Sequence, residues 1–593
     1  MLVPFSLNGS WARLLLLAPL MAAAGPSGAD GSAGPAGGPD ARYARTEREF
    51  IDSYLDWRPQ LATSLGLHRY DGRITDFSAG SVAAELARLK QFDTRLAAFE
   101  PAQLTRVHAY DLRILRSAVL NEIFQFEGLR VYTDNPMTYA GALDVSIYVK
   151  RDFAPLSARV ASLTRILEHA PDLIAAAHTN LAASLPRPFV ETAILVARGS
   201  ESFLEADLVE ALKDFPEGPE KAAFRQADQR AVAQMRSFAD WLEKERLPDS
   251  NDRWALGAEK YAQMLKYSEM IPLSPAQILA IGDKQLAAEQ ARFVEAGRII
   301  DSSKPAAEVF KSIQKDHPTA AGLIPDTRAS LEKIRQFVID HSIIEVPSAV
   351  RASVEETPAF ARATSSASMD TPGPFETGAT AAYYYVTPVE PTWSPERAEE
   401  WLTSFNYYTA EVVSIHEAYP GHYIQFLHLN QSSATEAEKI FGSYAFIEGW
   451  AHYCEQMMIE EGYGASDPVR TAKYRMAQSS EALLRLCRLC VSIRMHCYGM
   501  TVEEGTRFFH EHCYYETAPA HDEAMRGTFD PGYLFYTLGK LQFLKLREDW
   551  KRQEGPAYSL RRFNNAALAH GMPPLRLLRE QLLKNQKIYD DIL

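Results

Sequence analysis

Residues 407–422 read YYTAEVVSIHEAYPGH, a segment of apolar and small residues that closes on His416-Glu417 and then on Pro420-Gly421-His422. In the H-E-x-x-H signature, residues i and i+4 share one helix face, so both imidazoles reach a single ion. Here position i+4 is Pro420 and the second histidine stands at i+6. On a regular helix turning about 100° per residue, His422 would point roughly 120° away from His416. A break between them is therefore required. Pro420 removes a backbone donor and Gly421 permits torsions closed to other residues, so the sequence predicts a helix over Tyr407 to His416 with its distortion placed between the two histidines.

Downstream, Ser443 to Gly462 has helical spacing: Phe446, Ile447, Trp450, Ala451, Cys454, Met457 and Met458 form the apolar side. Glu448, His452 and Glu455 share another stripe. Two imidazoles and one carboxylate would hold one zinc ion and leave a coordination position for water, with Glu417 as general base. The candidate ligands are His416, His422 and Glu448, and His452 is the alternative second histidine. His452 or Glu455 would otherwise orient a ligand from behind. Taken singly, each of these residues reads as an ordinary hydrogen-bonded polar group on a helix. Their combination points to a metal-dependent hydrolase.

Upstream, helical patterns run over Glu47 to Leu55, Ser81 to Phe99, Pro101 to Phe126, Leu156 to Ala182, Pro219 to Lys244, Pro275 to Ala296 and Asp326 to His341. Leu273-Ser274-Pro275 and Ile324-Pro325-Asp326 have the composition of helix starts. Between Pro347 and Ser394 the pattern changes to short aromatic runs broken by Pro, Gly, Ser and Thr, and Ala381 to Thr387 is the best strand candidate. Ser394-Pro395 then opens another helix. The expected fold is mainly α: a large multi-helical body, like that of a metallopeptidase, with a small β element near 381–387. Tyr383 to Val386, with Tyr384 the candidate contact, would flank an extended substrate if the strand is an exposed edge; the plainer alternative is an ordinary short sheet.

Leu14 to Ala24 is apolar behind Arg13 and reads as a signal peptide over residues 1–24, which makes the chain an exported protein, periplasmic or extracellular. Gly25 to Ala41 is built of Gly, Ala, Pro, Ser and Asp, so 25–44 is expected to be a flexible linker. The body would occupy 45–593, with a helical part over 45–346 and a metal-site part over 347–593. A net charge of −14 without a concentrated Lys/Arg cluster argues against nucleic acid as partner. The apolar start is too short for stable membrane insertion. Cys454, Cys487, Cys490, Cys497 and Cys513 are an odd set that cannot fully pair within one chain. Cys487 and Cys490, with Cys497, Cys513, His510 and His512, form a rival metal set, but they lie in helical spacing without a Gly or Pro to form a knuckle and read as core cysteines.

At this point the chain resembles the domain of unknown function 885 family, grouped with the gluzincin-like metallopeptidases. The resemblance is carried by His416 to His422 with Gln425, and by Glu448-Gly449-Trp450-Ala451 with Tyr453 and Glu455. It continues through Arg485, Arg488, His496, Glu523, Arg526, Pro531, Tyr536, Gly539 and Arg547, with weaker similarity in Pro59 to Asp71 and Asp152 to Pro155. It implies a mainly helical fold with zinc on His416, His422 and Glu448, and Glu417 as base. Two departures stand out: Ser492-Ile493-Arg494 replaces the Asp-Thr-Gly usual before the histidine matching His496, and Tyr423 replaces a further histidine.

On this reading zinc would acidify its water, Glu417 would take the proton, and a peptide bond would be cleaved. His496, Tyr533 and Tyr536 are candidate oxyanion donors, of which His496 and Tyr536 are carried as catalytic candidates; the plain reading of each tyrosine is core packing. Arg485, Arg488 and Arg494 would bind a substrate carboxylate, unless they are ion pairs that lock helices together. The competing functions are a zinc hydrolase of another amide or ester, a noncatalytic exported binding protein, and a helical scaffold without metal.

Overall fold

The structure is a computed structural model and describes residues 38–358, 362 and 366–593. The segment 1–24 and most of the expected linker lie outside the described residues. The linker ends earlier than residue 44, because a helix spans Pro39–Trp57. Tyr43 is fully buried on that helix and packs edge-on against Phe99 at 5.6 Å, so the first anchor of the body falls inside the stretch whose composition read as tether.

Helices dominate. The N-terminal ones, Pro39–Trp57, Ala79–Ala97 and Arg106–Glu127, enclose one core, which Ala437 and Ile440 complete from a distant segment. Leu156–Glu168, Ala170–Asn180, Arg187–Ser202 and Pro219–Trp241 enclose a second. The single helix expected over Leu156 to Ala182 is two, because Pro171 in the first turn of the second lacks the N–H a continuous helix would need. Ser274 opens the helix Pro275–Ile300 with a capping box shared with Gln277, as its sequence predicts.

The third and largest core contains the site. It takes Phe293 and Leu331 from the helices Pro275–Ile300 and Leu323–Asp340 together with Ile415, Trp450, Leu489 and Phe543. The change of composition near 346 is therefore not a boundary between cores. Beside it stands a three-stranded sheet of β1 (Ser353–Glu356), β2 (Ala367–Asp370) and β3 (Tyr383–Val386). The order is β1-β3-β2, with β1 parallel and β2 antiparallel to β3. The strand expected near 381–387 is present, but it is the central strand. Both its edges are paired, so it cannot flank a substrate; β2 is the edge that can. Among the described residues, no helix is long and apolar enough to cross a membrane.

Candidate metal centre

The break demanded by the spacing of the two histidines takes the form of two separate helices, Tyr407–Glu417 and His422–Gln431. The first is anchored by buried Glu411, which accepts hydrogen bonds from Ser330, Tyr463 and Tyr474 at 2.9, 2.7 and 2.5 Å. It ends at Glu417, the Tyr419-Pro420 peptide is cis, and His422 opens the second helix. A Cβ on Gly421 would lie 1.7 Å from the His416 carbonyl oxygen, so no larger residue fits the turn. Trp450 clamps it by donating its indole N–H to the Pro420 carbonyl at 2.9 Å.

Glu448 arrives from the helix Tyr444–Glu460. This helix crosses Phe535–Glu554 at Gly449 and Gly539, where a Cβ on Gly539 would stand 1.9 Å from the Ala445 carbonyl. Only glycine permits this approach. At its start, Glu269 accepts from the Ser443 hydroxyl and from the Ala445 N–H. Burial raises Glu269 to about 7.

The result is convergence. One ligand atom each from His416, His422 and Glu448, all buried, lie within 4.8 Å of one another. Glu448 Oε2 is 3.4 Å from His416 Nε2 and 3.5 Å from His422 Nε2. Ligands about 2.0–2.1 Å from a tetrahedral zinc stand roughly 3.4 Å apart, so the spacing matches that ion. His416 Nδ1 lies 2.7 Å from Glu455 Oε1 and His422 Nδ1 3.3 Å from Gln425 Oε1. These acceptors place a proton on each Nδ1 and turn the Nε2 lone pairs inward. Glu448 Oε2 is buried without a hydrogen-bond partner. Two lone pairs and an unsatisfied carboxylate oxygen make an acceptor-only cage, which fits a cation. The three groups also govern one another's protonation, and a cation bound there would take the place of a proton. Burial opposes charge on Glu448, yet the two imidazoles hold its carboxyl well below the usual range. Burial likewise opposes charge on His416, and Glu448 and Glu455 overcome it, raising the imidazole to about 9.

The outer positions sort differently. Glu455 binds His416 on one oxygen and His452 on the other at 2.9 Å, and Arg485 Nη2 lies 3.5 Å away. His452 is thus a support for Glu455, and His422 completes the set. Burial depresses His452 to about 3. Arg485 is consumed by Glu481 at 2.6 Å, and Arg488 is held bidentate by Glu523 at 2.8 and 2.7 Å. Both arginines lock helices rather than offering free charge to a carboxylate, and Arg494 pairs with Asp283. Tyr384 is buried beneath the helix that carries His416, with its hydroxyl 3.2 Å from Ser414 Oγ, so it is not a substrate contact.

A cavity of about 820 Å³ opens over the centre. His416, His422, Glu448, Glu417, Tyr536 and Ala367 line it. Met369 donates its backbone N–H to Glu417 Oε2 at 3.2 Å, which ties β2 to this carboxylate. Tyr536 stays a candidate donor: burial, reinforced by Glu448, raises its phenol to about 12, which keeps the proton in place. His496 also lines the cavity, but both ring nitrogens are occupied: Nε2 lies 2.7 Å from the Gly527 carbonyl and Nδ1 3.4 Å from the Leu256 N–H. Its expected catalytic role gives way to a structural one. Tyr533 is fully buried and outside the lining.

Sequence reasoning missed Glu411, Glu269, the Gly449/Gly539 crossing and the Met369 contact. Only the pair of helix glycines left a local signal. The rival cysteine set forms no metal cluster among the described residues; Cys487, Cys490 and Cys513 are buried and Cys497 partly so.

Two solved structures share the fold. One, a "putative lipoprotein of unknown function" from Shewanella oneidensis, is 24% identical with a TM-score of 0.76, covering 91% of this chain and 100% of its own. The other, a "putative lipoprotein" from Colwellia psychrerythraea, is 17% identical with a TM-score of 0.76, covering 93% of this chain and 100% of its own. No curated protein matches the chain. The family model described as "bacterial protein of unknown function (DUF885)" matches residues 59–582, and the chain belongs to that family.

Proposed function

We propose that the chain is an exported zinc-dependent hydrolase of the gluzincin-like kind, most directly a peptidase. The observation that carries this is the meeting of His416, His422 and Glu448 at ligand spacing on the wall of a cavity that Glu417 also lines. His416, His422 and Glu448 would hold a zinc ion, which would supply Lewis acidity toward water and a substrate carbonyl. Glu417 takes the proton from the attacking water and passes it to the leaving amine. The Met369 N–H fixes the orientation of that carboxylate, and Tyr536 offers a proton donor to the developing oxyanion. The outer edge of β2 offers backbone groups to an extended peptide, and a cavity of this size suits a short one. With Arg485 and Arg488 neutralised by Glu481 and Glu523, carboxylate recognition by these arginines is not part of the proposal. The apolar stretch Leu14 to Ala24 supports export.

Zinc per chain in purified protein tests the centre, with Glu448→Ala and His422→Ala beside wild type. We expect about one zinc in wild type and loss in both variants; zinc absent from wild type, or retained in both variants, ends the proposal. A peptide library then tests the chemistry. Glu417→Gln should keep its zinc and lose turnover by on the order of 10²–10⁴-fold.

A further inference from the structure

Behind the centre lies a second cavity of about 420 Å³, whose wall includes His452, Thr537 and Lys540. Thr537 and Lys540 are three residues apart on the helix Phe535–Glu554, so a hydroxyl and an ammonium stand on one face. Thr537 is 2% and Lys540 5% exposed. The Thr537 hydroxyl is buried without a hydrogen-bond partner. Among the described residues, no carboxylate forms an ion pair with Lys540. Of the nearby acids, Glu289 is committed to Ser479 and Arg292 and Glu455 to His416 and His452, while Glu548 is exposed to solvent beside Arg547. The other cations on this wall have partners, Arg292 with Glu289, Lys545 with Asp549 and Arg552 with Asp549.

Burial holds Lys540 below the ordinary lysine range although Glu289 and Glu455 attract its charge from a distance, and a buried ammonium in direct contact with no anion, beside an unsatisfied hydroxyl, gains from an anion that enters. We propose that this cavity is a binding site for a small monovalent anion such as chloride, held by Lys540 and Thr537. The apolar part of the wall, Leu486 and Leu544, favours a weakly hydrated ion, and Glu289 and Glu548 at the same cavity disfavour a polyvalent one. His452 lies on this wall and bonds Glu455, which bonds His416, so the site adjoins the support of the metal ligand. The inference stands independently of the hydrolase reading, since it needs neither zinc nor turnover.

The test is the melting temperature of the full chain, zinc-loaded and metal-stripped, in sodium chloride, sodium bromide and sodium gluconate at equal ionic strength. We expect a saturable upward shift on the order of 2–4 °C with both halides and none with gluconate, a strongly hydrated hydroxy acid that the apolar wall does not favour. Lys540→Gln should abolish the halide shift. Thr537→Val, close to isosteric, should weaken it and serves as the readout if Lys540→Gln does not fold. A crystal grown in bromide should show anomalous density within hydrogen-bond reach of Lys540 Nζ. Equal shifts in halide and gluconate, a halide shift that survives in these variants, or a bromide crystal without that density would each overturn the proposal. Loss of zinc with an intact halide response would defeat the hydrolase reading alone.

Discussion

Glu448 and Glu455 lie two helical turns apart on one helix, and both are buried, yet their surroundings are opposite. Glu455 is saturated: His416, His452 and Arg485 surround its two oxygens. Glu448 faces two imidazoles at 3.4 and 3.5 Å and leaves one oxygen without a hydrogen bond. A buried carboxylate with every lone pair engaged is a structural clamp. One left unsatisfied is a binding site in waiting, because burial without a partner costs free energy that only a ligand can offset.

The sharpest way to break this contrast is to neutralise each carboxylate in turn. Glu448→Gln removes the anionic ligand, and zinc should fall to background in equilibrium dialysis. Glu455→Gln leaves the ligands in place but loosens the His416 tautomer, so zinc affinity should drop roughly 10–100-fold rather than vanish. If the two variants lose zinc equally, the distinction fails. Next in size, Gly539→Ala drives a methyl into the Ala445 carbonyl and should cost about 1–3 kcal/mol, read as a lower melting temperature, with zinc bound more weakly in proportion.

The smallest effect concerns His496, which belongs with Glu455 among the saturated groups. Burial holds its imidazole at about 4 in the folded chain against 6.5 for an ordinary histidine. Between those values the unfolded chain binds the extra proton, so stability from this group is full above pH 6.5 and is lost as pH falls toward 4. His496→Gln should lower stability at neutral pH, flatten that part of the profile measured by denaturant titration, and leave zinc stoichiometry unchanged. A loss of zinc in this variant would return His496 to the centre.

These contrasts also explain what the sequence could reveal. The His-Glu pair, the Pro-Gly break and the carboxylate of the next helix were legible because spacing along a helix fixes which side chains share a face. The break was predictable, although its form as two helices was not. The pairing of β3 on both edges was hidden, since β1 and β2 join it from separate segments and local pattern carries no register. Arg488 and His496 are engaged by groups distant in the chain, Glu523 and the Gly527 carbonyl, and a sequence does not display such partners. For Arg485 the nearest partner, Glu481, stands one turn away on the same helix, and the ion-pair alternative is the right one.

The glycine crossing sets the character of the centre as a whole. Glu448 immediately precedes Gly449, where two helices meet backbone to backbone, so no side chain is available to yield between them. The depth of the carboxylate is dictated by peptide groups, which deform far less readily than rotamers. Under the proposed zinc reading, an ion of larger radius would press against a helix pair in backbone contact, and the scaffold would resist it along with the ligands.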